Sequence, residues 1–286
     1  MDEPLRTPLP APAPDADAKH PRRRAFFAGL GYFGIFLLMQ VVVAGQIAIV
    51  LSVQTMLSVG LDDYAALYDA LTQAVQNHAA LITGVCDGVA LLTVFFMLRA
   101  KKRPFLAACG LTRLRTKTLF ILIPLGVAAN FLVSLVLSLL PQDVLAGYSQ
   151  SAEYVAGATN LVSFLIVAVF APFVEEVFFR GLIYARFRDA MPRWPAILLQ
   201  ALLFGVMHGH PVWIAYAFGL GVLLALLRDR YKTLLAPVAL HVAFNASSYL
   251  LLALADLSAG ALLLAAALLL AAAVLGLRAE IRDGAA

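Results

Sequence analysis

The stretch Leu161-Val162-Ser163-Phe164-Leu165-Ile166-Val167-Ala168-Val169-Phe170-Ala171-Pro172-Phe173-Val174-Glu175-Glu176-Val177-Phe178-Phe179-Arg180 decides the reading of this chain. A bilayer helix needs about 20 mainly apolar residues, and this run supplies them. It also carries two adjacent acids and an arginine. A charged side chain at the centre of a bilayer helix costs roughly 2.5–3.5 kcal/mol. By default, an ionisable residue at that depth marks a functional site. A buried ion pair that fixes helix packing accounts for Glu176 with Arg180, four residues apart on one helix face. It does not account for Glu175, which points about 100° away and stays free for a different partner.

The rest of the chain is of the same character. Of its 286 residues, 62% are hydrophobic and 13% charged. A soluble protein carries about a quarter charged residues. The apolar runs are continuous rather than alternating, which selects helices over a β-barrel. The fold class is therefore all-α: a polytopic membrane protein, a bundle of about eight transmembrane helices around a polar cavity. The candidate spans are 25–51, 79–98, 118–140, 161–184, 194–208, 212–227, 233–255 and 257–277. The fifth and sixth are short and meet at His210-Pro211 as a helical hairpin.

Residues 1–24 read as a polar, Pro- and Ala-rich disordered tail, 25–277 as the bundle and 278–286 as a second tail. The start is not a cleavable signal, since it lacks a basic segment followed by an apolar core. Between 104 and 118, basic and apolar residues mix as in an interfacial amphipathic helix. The loops 59–78 and 141–159 are long enough for short external helices. Cys86 and Cys109 have no metal or redox spacing.

Charge orients the bundle. Arg22, Arg23, Arg24, Lys101, Lys102, Arg103, Arg186, Arg188, Arg193, Arg228, Arg230, Lys232, Arg278 and Arg282 all fall on one set of loops and ends. The alternate loops carry Asp62, Asp63, Asp69, Asp143 and Glu153 without Lys or Arg. The positive-inside rule then puts both termini in the cytoplasm. The Ala- and Leu-rich composition is of a bacterial style, so the expected location is a bacterial plasma membrane. The net charge of +4 belongs to these patches, and anionic lipid rather than nucleic acid is the expected partner.

Two further segments carry polar groups at depth: Phe204-Gly205-Val206-Met207-His208 and His241-Val242-Ala243-Phe244-Asn245. At about 1.5 Å per residue, Glu175 lies about 16 Å in from Arg186, His241 about 13 Å from Lys232 and His208 about 22 Å from Arg193. The three sets can meet at one level. His241 and Asn245 share a helix face, as do Phe204 and His208, with Phe204 supporting the imidazole. The chemistry that fits is activation of water. A carboxylate in a low-dielectric pocket makes a strong general base. A nearby His shares the proton or holds a metal, and a second His with an Asn amide can donate to an oxyanion. No Ser or Cys stands beside them as a nucleophile; Ser247 and Ser248 lie off the His241 face. Asp87, near Gly84 and Gly88, reads as a packing or cavity-lining acid. Asn130 and Gln200 read as interhelical glue, and His210 as a helix-end residue.

The ordered set Glu-Glu-x-x-x-Arg, Phe-x-x-x-His and His-x-x-x-Asn resembles that of the CPBP family, also called Abi. This family includes the CAAX prenyl proteases and the bacteriocin-processing or immunity proteins. The resemblance covers roughly 160–250. It implies an intramembrane endopeptidase with a conical cavity open to cytoplasm and lipid. It implies Glu175 as base with His208 orienting the same water, His241 and Asn245 as oxyanion site, and Glu176, Arg180 and Phe204 in support. It leaves metal open in both directions. Glu175, His208 and His241 can be drawn as three ligands for Zn2+ or another divalent metal, and a metal-independent glutamate protease fits equally. The implied partners are membrane lipids and a peptide or protein with a hydrophobic or lipidated segment. Two other classes stand beside this reading: a non-catalytic immunity or scaffold protein, and a proton-coupled transporter. Against the transporter stand the clustering of the motifs in the second half and the lack of an internal repeat.

Overall fold

The computed structural model describes residues 20–60, 63–145, 147–148, 160–253 and 258–284. Among them no strand occurs. The helices are α1 (Pro21–Val59), α2 (Tyr64–Ala100), α3 (Phe105–Cys109), α4 (Thr116–Ser138), α5 (Leu161–Ala190), α6 (Arg193–Val206), α7 (Pro211–Tyr231), α8 (Leu235–Ala253) and α9 (Ala259–Gly284). Six of these are long and apolar enough to cross a membrane: α1, α2, α4, α5, α7 and α9. Helices α6 and α8 are shorter and apolar. The chain is an all-α polytopic membrane protein.

Helix α5 sits at the centre. It is the most buried of the six long helices, whereas α1 and α9 bury least and turn apolar side chains outward. Phe178 and Phe179 anchor the core, with the Phe36 ring 4.8 and 5.6 Å away. Helices α1 and α2 pack as a pair on one side of α5, and α4, α8 and α9 pack together on the other. Helices α6 and α7 form the expected hairpin. Gly205 makes their close approach possible, since a Cβ there would stand 2.8 Å from the backbone oxygen of Ile214.

Helix α5 is not a regular α-helix. Leu165–Phe170 and Val177–Ile183 are π-helical turns on either side of the two acids. Such turns are rare and occur frequently at functional sites. The first has a local cause. The N–H of Ala171 donates to Ile166, five residues back. The next residue in that register is Pro172, which has no N–H to give. The carbonyl of Val167 is thereby left without a helical donor.

Several segments depart from expectation. The 104–118 region holds the five-residue α3 and the first residues of α4, and Cys109 is fully buried against Gly181 of α5. The segment is tucked into the bundle, tied to the start of α8 by Leu234 N–H to Gly110 O (2.9 Å) and Thr233 Oγ1–H to Thr112 O (2.7 Å). It does not form one continuous amphipathic helix. Most of 59–78 extends α2, whose N-terminus is capped by the Asp63 carboxylate accepting from Ala66 N–H at 3.0 Å. Helix α1 begins at Pro21, ahead of the expected boundary at 25, and α9 continues through 278–284. There Glu280 accepts from Thr118 Oγ1 (2.8 Å) and from the Tyr231 hydroxyl (3.0 Å). Most of the tail read at 1–24, and residues 149–159 of the external loop, lie outside the described residues.

Candidate active site

The site is built on the stretch of α5 between its two π turns. Glu176 and Arg180 are wholly buried, and Arg180 Nη1 donates to Glu176 Oε1 at 2.6 Å. Arg180 Nη2 also donates to Gly221 O on α7 (3.3 Å), a carbonyl shared with Gln200 Nε2 of α6 (3.0 Å). The guanidinium lies over the Phe204 ring, 4.3 Å from its centroid. A buried charge left unpaired would cost several kcal/mol. The ion pair, the carbonyl and the ring face partner this one, although Arg180 Nε and Glu176 Oε2 are buried with no hydrogen-bond partner among the described residues.

His241 of α8 bridges the two acids. Its Nδ1 lies 2.9 Å from Glu176 Oε1, a hydrogen bond to an acceptor-only carboxylate. The bond assigns the proton to Nδ1 and leaves the Nε2 lone pair free. Nε2 in turn lies 3.6 Å from Glu175 Oε2. That separation is too long for a direct hydrogen bond, and a water about 2.8 Å from both atoms would lie to the side of the line joining them. Glu175 keeps 23% of its side chain exposed, against none for Glu176. The two neighbours are thus divided: Glu176 is locked into the scaffold and Glu175 faces the accessible side.

Phe204 is the common wall. Its ring meets those of His208 (5.0 Å), Phe179 (5.1 Å) and His241 (5.8 Å) edge to face. His208 is not inside the helix as expected. Helix α6 ends at Val206, and His208 stands on the turn before Gly209, whose φ of +75° reverses the chain into Pro211. Its Nδ1 lies 3.0 Å from Phe204 O, so this ring too presents an unprotonated Nε2. His208 is half-buried.

Asn245 is placed by α5 itself. Its Nδ2 donates to Val167 O at 3.1 Å, the carbonyl that Pro172 leaves unpaired. A side-chain amide has two N–H donors, so one remains. His241 and Asn245 therefore do not aim together at a single atom: one is straddled by the acids, the other caps a π turn. Ser247 and Ser248 are both engaged by Asn130 Nδ2, at 2.9 and 3.1 Å, which ties α4 to α8. Gln200 likewise ties α6 to α7. His210 accepts from Val212 N–H at 3.3 Å as the N-cap of α7.

Among the described residues, no three His, Cys, Asp or Glu side chains form a group that could hold a metal. The set Glu175, His208 and His241 is therefore not gathered as metal ligands in this structure. Glu176 Oε1 and His241 Nδ1 are already committed to each other.

Some residues near the site escaped the sequence reading. Trp213 stands 6.2 Å from the His208 ring, and Tyr148 5.7 Å from Trp213. The Tyr148 ring also meets the Tyr216 ring of α7 edge to face, at 6.3 Å. Gln40 of α1 donates to Asp87 Oδ1 at 2.6 Å. The signal for Gln40 was present, since it is a lone amide in the run Leu37-Leu38-Met39-Gln40-Val41-Val42. The aromatic residues carried no such mark, because rings are common throughout membrane helices.

The comparisons with known proteins bear on this region. No curated protein and no solved structure matches the chain. Residues 157–247 match one family model, described as type II CAAX prenyl endopeptidase Rce1-like. The match covers less than half of the chain but contains all three motifs. Over residues 157–247, from the start of α5 to the middle of α8, this chain is similar to the Rce1-like type II CAAX prenyl endopeptidases, in agreement with the family resemblance read from its motifs.

Proposed function

We propose that the protein is an intramembrane endopeptidase that cuts a membrane-associated or lipidated peptide with water activated by Glu175. The observation that carries the reading is the partly exposed Glu175 carboxylate set 3.6 Å from an imidazole nitrogen whose tautomer is fixed by a buried acid. A water there can donate one proton to Glu175 Oε2 and the other to His241 Nε2. Its oxygen lone pairs then face outward. As the oxygen attacks the scissile carbonyl carbon, Glu175 takes one water proton. It returns that proton to the leaving nitrogen as the C–N bond breaks.

The family comparison supports the peptide-bond chemistry, and the lipid-facing helices support a substrate with a greasy anchor. His208 Nε2 is an acceptor that can take the second water proton in place of His241 Nε2. His241 Nε2 can donate to the oxyanion only when it carries a proton. The loop charges support a cytoplasmic location for both termini in this reading.

The test is incubation of the purified protein in detergent with a panel of prenylated and leader peptides, with Glu175→Ala and a chelator as controls. Cleavage abolished by the substitution and untouched by the chelator fits glutamate chemistry. Loss with both assigns a metal requirement. Cleavage that survives Glu175→Ala refutes the assigned base.

A further inference from the structure

A line of rings leads away from His208 and ends on a residue outside the helices that build the site. His208 stands 6.2 Å from Trp213, and Trp213 stands 5.7 Å from Tyr148, which lies in the connection between α4 and α5. His210, Trp213 and Tyr216 are spaced by three, so they fall along one face of the start of α7. The Tyr148 ring meets all three, at 6.2, 5.7 and 6.3 Å. The backbone beside it is close as well, since a Cβ on Gly147 would stand 3.1 Å from His210 Nε2.

The place where this contact is made matters. Helix α6 has 14 residues. It rises about 21 Å, against a hydrocarbon core of about 30 Å. Its near end is tied to α7 by Arg193 Nε donating to Asp229 Oδ2 at 2.6 Å. The turn at its far end carries His208 and falls short of the far face. The α4–α5 connection comes down onto that turn. His208 is only half-buried, and a polar imidazole beside an open shortfall would draw water in from that side.

A tyrosine of the interfacial aromatic belt sits with its ring at the level of the lipid headgroups. Tyr148 instead faces three rings of α7 and is half-buried. Its interplanar angles of 77° to Trp213 and 84° to Tyr216 are the edge-to-face arrangement that aromatic rings prefer. Seated in this way, the ring stands between the far face and the imidazole of the site.

We propose that Tyr148 is a seal: its ring closes the far end of the polar cluster, so that water does not pass Trp213 to reach His208 from that face. The proposal goes beyond the peptidase reading and does not depend on it. Its test therefore reads no cleavage. The chain has two tryptophans, so the full-length protein carrying Trp194→Phe reports on Trp213 alone. It is placed in vesicles in one orientation, and iodide, an ion that does not cross the bilayer, is added to each face in turn. Trp213 fluorescence is expected to be quenched far less than free indole from either face.

Truncating a large side chain leaves a space that its surroundings fill only in part, so Tyr148→Ala is expected to raise the quenching constant from the loop face about threefold. Quenching from the opposite face is expected to stay unchanged. Tyr148→Phe keeps the ring and is expected to match the parent on both faces. A role in packing alone predicts either no change or an equal rise from both faces as the bundle loosens. Either result overturns the proposal, as does a Tyr148→Phe protein that quenches like Tyr148→Ala. Should Tyr148→Ala not fold, the parent still decides: Trp213 quenched from the loop face as strongly as free indole overturns the seal.

Discussion

Removing Glu176 tests whether the site is held by one buried junction. Its Oε1 receives both Arg180 Nη1 (2.6 Å) and His241 Nδ1 (2.9 Å), with no solvent exposure at either end of the ion pair. Glu176→Ala strands the guanidinium between Gly221 O and the Phe204 ring. Breaking a buried pair from one side costs about 3–5 kcal/mol, mostly for the charge left behind. Replacing both partners removes that charge. Glu176→Leu with Arg180→Met is therefore expected to recover stability to within about 1–2 kcal/mol of wild type. It does not recover function, because His241 Nδ1 has lost the acceptor that fixes its tautomer. The assay is equilibrium unfolding in mixed micelles for all three proteins, with peptide cleavage alongside. A Glu176→Ala protein within 1 kcal/mol of wild type, or a double variant that is fully active, refutes the junction.

Other outcomes follow from single contacts. Glu175→Gln should leave the unfolding midpoint near wild type, since the side chain is partly exposed and outside the ion pair, while cleavage is lost. Asn245→Ala should cost about 1–3 kcal/mol by stranding Val167 O. On a Pro172→Ala background, where an N–H returns to the helix, the same substitution should cost less, and additive losses in that double-mutant cycle would refute the capping role. Gly205→Ala should destabilise by about 1–3 kcal/mol because its Cβ meets Ile214 backbone at 2.8 Å; an unchanged unfolding midpoint contradicts the packing. Tags at both ends should be cut by protease only in inside-out vesicles, and cleavage from the other face would overturn the orientation drawn from the loop charges.

The helices were legible because hydrophobic length and continuity are direct consequences of the bilayer. The Glu176–Arg180 pair followed from their spacing on one helix face, and the interhelical roles of Asn130 and Gln200 followed from the cost of a lone amide in an apolar helix. The hydrogen-bond register was not legible. Apolar periodicity does not distinguish an α turn from a π turn, and only Pro172 hinted at the break that draws in Asn245. Helical spacing placed His241 and Asn245 on one face but not the partners that turn them apart. His208 kept its contact with Phe204 although it lies past the helix end, because the last turn continues to wind. The reach of α2 was available in Asp63 as an N-cap, but hydropathy alone set that boundary.

The most direct test of the central claim is cleavage of a lipidated peptide in ¹⁸O-labelled water by the wild type and by Glu175→Gln. The account predicts one labelled oxygen in the new carboxylate from the wild type and no product from the variant. Product formation by Glu175→Gln at the wild-type rate would contradict it.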